Sequence, residues 1–185
     1  MITPDHGEPL YIPAEPGPLY GVLHRPAEGA SRAAVLCLAP GLDERRSACG
    51  ATARIARKLA AAGAACLRFD YFGTGDSAGD SVDVTLVSME RDAVAAARFL
   101  RAAAAGVPLE LLGIRLGASL ALRAGASLGA ARTAAVAPII HGAEWLRQER
   151  GRSRLRRSMA AREAQRAGTV SATVTTAAAA AAAGA

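Results

Sequence analysis

The sequence predicts an α/β fold built on a mostly parallel sheet. Three observations predict it. A continuous apolar run at 33–39 reads as a strand buried on both faces, and the mainly apolar stretches 65–70 and 109–114 read as further strands. Longer stretches with apolar residues at helical spacing separate them. The run at 109–114 then passes through a glycine-flanked corner straight into a small-residue helix. Strands alternating with helices of this length favour parallel pairing through right-handed crossovers.

Taken in order, Leu10 to Ala14 and Leu19 to Pro26 are short strands separated by Glu15-Pro16-Gly17-Pro18, a proline-glycine turn. They are expected to pair antiparallel at one sheet edge, where proline is tolerated. His6 and His24, before and on these strands, are expected to be surface or edge histidines. The run 33–39 is the first central strand and ends at Pro40-Gly41-Leu42-Asp43-Glu44. Arg45 to Ala62 reads as a helix with a stripe through Ala53, Ile55, Leu59 and Ala60, ended by Gly63. Strand 65–70 follows. Next comes a glycine-rich loop, then a helix from Val84 to Ala105 with Leu86, Met89, Val94, Ala97 and Leu100 on its buried face. Pro108 bars that helix from continuing. After strand 109–114 come a helix from Leu116 to Leu128 and a sixth strand from Thr133 to Ile140.

The corner Gly113-Ile114-Arg115-Leu116-Gly117 has the layout of a nucleophile elbow, in which a strand turns sharply into a helix and presents one side chain at its tip. That tip is Arg115. A guanidinium stays protonated at physiological pH and cannot attack a carbonyl. A second stretch, Gly75-Asp76-Ser77-Ala78-Gly79, matches the Gly-x-Ser-x-Gly pattern letter for letter. Further glycines and polar residues to Asp83 intervene before any helix, so the strand–turn–helix context is missing and Ser77 is not expected to be a nucleophile.

With its upstream segments, the corner resembles the α/β-hydrolase superfamily, in particular its serine aminopeptidase-like branch. It is most similar to bacterial members, including exosortase-system-associated hydrolases with a Gly-x-Arg-x-Gly elbow. The resemblance runs from Leu19 to Met159 and is carried chiefly by Phe69-Asp70-Tyr71-Phe72-Gly73-Thr74-Gly75-Asp76-Ser77 and the elbow. It implies a three-layer α/β-hydrolase-like fold with a mostly parallel sheet. It also implies an oxyanion hole made by the backbone N–H groups of Leu42, in the turn kept tight by Gly41, and of Leu116. Asp70, Gly73, Gly75 and Ser77 would be structural residues of the loop after the fourth strand.

A triad of this fold runs nucleophile, acid, histidine. After Arg115 there is no aspartate, and His141 precedes Glu144, Glu149 and Glu163. The order is wrong, so His141 is expected to be a strand-end or cap residue. Ser119, one helical turn past the tip, is expected to point away from the mouth. By resemblance the chain is a hydrolase of ester, thioester or amide bonds in small molecules; by its own residues it is expected to be weak or inactive. Arg115 beside a helix N-terminus calls for an anion. Either Asp43 or Glu44 forms a salt bridge with it, or a small acyl or anionic ligand binds there. A non-catalytic anion-binding or scaffolding module and a truncated or frame-shifted product are the alternatives.

Three segments are expected: a core over 1–142 with six strands, a basic helical segment over 143–168 broken at Gly151 that starts a cap, and a disordered Ala/Thr-rich tail over 169–185. No seventh or eighth strand pattern occurs, so the fold is expected to be C-terminally incomplete. The net charge of +6 is concentrated in residues 141–185, where 8 basic residues face 3 acidic ones. A near-neutral core and an arginine run without aromatic platforms weigh against nucleic acid as a partner. Nothing approaches the roughly 20 apolar residues of a membrane span, and no leader pattern is present, so a cytoplasmic protein is expected. Cys37, Cys49 and Cys66 lack metal-type spacing. Cys37 and Cys66 are expected to be buried free thiols, and neither metal nor cofactor is expected. No protein partner is indicated.

Overall fold

A computed structural model of the protein describes residues 7–27, 29–41, 44–155, 158–160, 162 and 165. Its elements are β1 (Glu8–Ile12), β2 (Leu19–His24), β3 (Ala33–Leu38), α1 (Glu44–Ala61), β4 (Ala64–Phe69), a 3-10 turn (Ser81–Asp83), α2 (Leu86–Ala103), β5 (Leu109–Ile114), α3 (Leu116–Ala124) and β6 (Arg132–Val136). The chain divides into two compact units, Met1–Ile140 and His141–Ala185.

In the first unit the six strands form one sheet of order β1-β2-β4-β3-β5-β6. β1 pairs antiparallel with β2, and β2 with β4; the remaining pairs are parallel. Side chains alternate across the sheet, so each strand feeds two layers. Val35, Cys37, Ala64 and Cys66 face α1, where Ala56 completes a buried cluster with Leu59 and Leu112 packed against it. The alternate residues Leu36, Leu38, Leu67 and Leu111 are buried too. Burial on both faces is why β3 reads as an unbroken apolar run, and β4 as one interrupted only at Arg68.

The observed elements correct several expectations. α1 buries Thr52, Ala56 and Ala60, a clean i, i+4, i+8 row, while Ala53, Ile55 and Leu59 are partly covered. α2 begins at Leu86 because Ser81–Asp83 forms its own turn and Thr85 caps the helix. The Thr85 hydroxyl accepts from Ser88 N–H at 3.0 Å, and the Ser88 hydroxyl accepts from Thr85 N–H at 2.9 Å, a reciprocal capping box. Met89, Ala97 and Leu100 are buried as expected, but Leu86 and Val94 are exposed. Val94 lies about 140° around the helix from Met89, off the buried stripe. β6 stops at Val136, because Ala137 turns to a φ of 47° and Pro138 has no N–H to donate. α3 ends at Ala124, short of Leu128.

His24 is buried on β2, an interior strand between β1 and β4, and is neither a surface nor an edge residue. Cys37 and Cys66 are buried and free with their sulfurs 3.3 Å apart; Cys49 is free and exposed. In the second unit residues 142–155 are helical and the helix runs through Gly151 without a break. His6, Leu42, Asp43, Glu163 and the 169–185 tail lie outside the described residues. No helix among the described residues is long and apolar enough to cross a membrane.

Candidate active site

The C-terminal end of β5 turns into α3 within a single residue. Arg115 takes φ 56° and ψ −117°, while Ile114 closes the strand and Leu116 opens the helix. A side chain rarely adopts this backbone, and holding it there costs on the order of 1–3 kcal/mol. The corner closes because its flanks are glycines. A Cβ at Gly117 would run into the carbonyls of Leu38 and Ala39, and one at Gly113 into the backbone of Gly117 and Ala118. β3, β5 and α3 therefore meet backbone to backbone. Arg115 N–H donates to Val136 O at 2.9 Å, which fixes the corner to β6 as well.

The Arg115 side chain is held on two sides. Its Nε lies 3.3 Å from both Oε1 and Oε2 of Glu44, and its Nη1 lies 3.3 Å from Ala137 O. Of the two acids the sequence left open, Glu44 makes the described bridge, with side chains 37% and 21% exposed for Arg115 and Glu44. The electrostatics explain the pairing. A guanidinium at the N-terminus of α3 meets the positive end of the helix dipole, whereas Glu44, first residue of α1, is well placed at its own. One carboxylate thus offsets two positive helix ends and a cation.

Leu116 N–H, at the first position of α3, belongs to the donors a helix leaves without intrahelical partners. Gly41 approaches it closely: a Cβ there would come within 2.6 Å of Leu116 Cδ2. Leu42, the other expected donor, lies outside the described residues. Ser119 is committed elsewhere. Its hydroxyl donates to Ile139 O at 2.9 Å and accepts from Ile139 N–H at 2.9 Å, clipping the segment after β6 to α3. In the second unit, His141 O accepts from Trp145 N–H at 3.0 Å at the start of the helix.

The loop after β4 is a hydrogen-bonded knot. The Ser77 hydroxyl donates to Asp70 O at 2.6 Å and accepts from Tyr20 N–H at 2.8 Å. Asp70 Oδ2 accepts from Asp76 N–H at 3.2 Å, and Oδ1 takes Arg45 Nη1 at 2.7 Å. Gly75 has φ 57°, and a Cβ there would land on the Asp70 carboxylate. Gly73 N–H donates to Ala78 O at 2.7 Å. The knot consumes both hydrogen-bonding roles of Ser77.

Sequence reasoning missed the supports beneath this loop. Asp92, fully buried on α2, accepts from Phe72 N–H at 2.8 Å and pairs with Arg91 at 3.2 Å. Burial pushes its carboxyl above the ordinary range, with the Phe72 N–H and Arg91 pulling the other way. Tyr71 is buried beside it and donates to Ala39 O at 3.3 Å; burial, then the Asp92 charge, drives its hydroxyl pKa far up. An aspartate among Glu90, Arg91 and alanines in a helix carries no motif, so no sequence signal marked Asp92. No group of three or more His, Cys, Asp or Glu residues among those described is placed to hold a metal ion.

Comparison with known proteins agrees with this architecture. The family model Hydrolase_4, described as serine aminopeptidase S33, matches residues 30–177. An α/β serine hydrolase without a lid from Xanthomonas campestris superposes with a TM-score of 0.60 at 24% identity, covering 72% of this chain and 62% of that one. An esterase from Pyrococcus furiosus gives 0.62 at 21% identity, covering 74% and 51%. Est1E from Butyrivibrio proteoclasticus, solved with ferulic acid bound, gives 0.57 at 20% identity, covering 70% and 52%. At these identities the likeness is one of fold. The chain spans between about half and three-fifths of the length of these structures. No curated protein matches the sequence.

Proposed function

The chain belongs to the serine aminopeptidase S33 family of α/β hydrolases, and on that premise we propose that it is a hydrolase-fold protein whose acyl-transfer chemistry is weak or absent. By family resemblance its substrates are ester, thioester or amide bonds of small molecules. The observation that carries the reading is Arg115: the tip has elbow geometry, yet presents a guanidinium locked to Glu44. Loss of the nucleophile alone leaves such an enzyme only the residual effects of binding and the oxyanion hole, roughly 10³–10⁴ over water.

Within the family, the Gly-x-Arg-x-Gly elbow supports placing the chain beside bacterial exosortase-system-associated hydrolases. Three free cysteines, two with adjacent sulfurs, suit a reducing, cytoplasmic setting. The alternative of an anion held between Arg115 and Leu116 N–H is disfavoured by Glu44, which such a ligand must displace.

A p-nitrophenyl ester assay tests the reading. The purified chain is expected to hydrolyse p-nitrophenyl acetate and butyrate no faster than the same chain after heat denaturation. Arg115→Ser is expected to gain little, since no aspartate follows the elbow and His141 precedes the later acids. Turnover that a fluorophosphonate abolishes, with the label on Ser77 or Ser119, would overturn it.

A further inference from the structure

On the α1 side of the sheet, a cavity of about 470 Å³ opens between α1 and strands β2 and β4. Among its described lining residues are Ala39, Pro40 and Arg45, but not Arg115, Glu44 or Leu116. Val22, Cys37, Ala48, Pro40 and Phe69 give it apolar walls. Arg68 stands among them on β4, partly buried, where its neighbours Cys66, Leu67 and Phe69 are buried.

A guanidinium on an inner sheet face needs compensation. Arg68 Nε donates to His24 Nε2 at 3.3 Å, an acceptor that orients the side chain without neutralising it. Among the described residues no carboxylate lies within ion-pair distance of Arg68. Asp70, two residues along the strand, is matched by Arg45 at 2.7 Å. Arg68 therefore lines the cavity with its terminal N–H groups uncommitted among the described residues.

We propose that this cavity binds a small monocarboxylate with an apolar body, taken by Arg68. The planar guanidinium fork matches a carboxylate in bidentate geometry. The apolar walls suit a short acyl or aryl body, and the volume falls within the range of small-molecule sites, about 300–1,000 Å³. Charge sets the ligand's valence. With Arg45 and Asp70 neutralising each other and Asp76 also lining the cavity, a second negative charge on the ligand would meet repulsion.

Calorimetric titration of the whole chain with benzoate tests this, with inorganic phosphate and adenosine diphosphate in parallel. Benzoate is expected to saturate at one site and to weaken at least tenfold in Arg68→Gln, while phosphate and the diphosphate bind at least tenfold more weakly than benzoate. A measurement on the unaltered chain stands beside it in case Arg68→Gln fails to fold by circular dichroism. Cys49 is exposed and lines the cavity, so bound benzoate is expected to slow its alkylation by iodoacetamide saturably. The proposal is overturned by absence of saturable benzoate binding, by phosphate binding equally well, or by benzoate affinity that Arg68→Gln leaves intact and Arg115→Ala abolishes. An alkylation rate of Cys49 indifferent to benzoate overturns it too.

Discussion

Gly113–Gly117 and Gly75–Gly79 are five-residue stretches bounded by glycines, the first at the end of β5 and the second in the loop after β4 of the same sheet. The first joins strand to helix within one residue, lifts its central side chain at φ 56°, and carries arginine there. The second carries serine at its centre and spends that hydroxyl on Asp70 O and Tyr20 N–H. One has the shape of a nucleophile site without the nucleophile; the other has the residue without the shape. The difference lies in where the backbone goes after the turn. A helix beginning at once leaves the tip side chain exposed at a positive helix end, whereas a loop folding back on itself recruits the serine as a brace.

The sharpest way to break the first region is Gly117→Ala, whose methyl would strike the carbonyls of Leu38 and Ala39. These are backbone atoms of a central strand and its exit and cannot move aside. A loss of about 3 kcal/mol or more is expected in urea unfolding. Ser77→Ala attacks the second region, removing one donated and one accepted hydrogen bond to part-buried backbone. About 1–3 kcal/mol should be lost, and ester hydrolysis should not change, because Ser77 serves as a brace.

How much of this was legible in the sequence depended on what each feature required. The elbow was legible because a close backbone crossing admits only glycine, which leaves a spacing in the sequence. β3 was legible because burial on two faces leaves an apolar run, and β4 and β5 because their mainly apolar stretches lie between helix and turn signals. The pairing of Arg68 with His24 was not, since it rests on the antiparallel register of β2 against β4, which sets His24 opposite Cys66 and Val22 opposite Arg68. The pairing of Glu44 with Arg115 needed the start of α1 to be fixed to the residue. Val94 was misplaced because a helix rich in alanine offers many stripes of similar hydropathy, and packing chose among them.

Asp92 sharpens the comparison from below, since it holds Phe72 N–H at the base of the Ser77 loop. Its carboxyl is raised above the ordinary 3.8 by burial. The folded protein therefore keeps this proton to higher pH than the unfolded chain, and the group's contribution to stability is full below the ordinary value and is lost as pH rises through the raised one. Asp92→Asn, which preserves the acceptor for Phe72 N–H, is expected to flatten that decline. Urea midpoints of both proteins compared between pH 3 and pH 8 would show it; parallel curves would mean Asp92 titrates normally.

The smallest effect belongs to the elbow tip. Arg115→Ala removes an ion pair that is more than a third exposed on the arginine side and long at 3.3 Å. Stability should change by less than about 1 kcal/mol, and a double-mutant cycle with Glu44→Gln should give a coupling of the same order. A coupling several times larger would mark the pair as a keystone of the corner.

Glu44 also bears on whether the elbow could be repaired. A serine placed at position 115 would leave the Glu44 carboxylate, which lies 3.3 Å from Arg115 Nε, without that cation. The same acid that steadies the arginine would stand beside the new hydroxyl as a partly buried charge deprived of that ion pair. The side chains at positions 44 and 115 are thus tied to one another, and a change at the tip calls for a matching change at the start of α1.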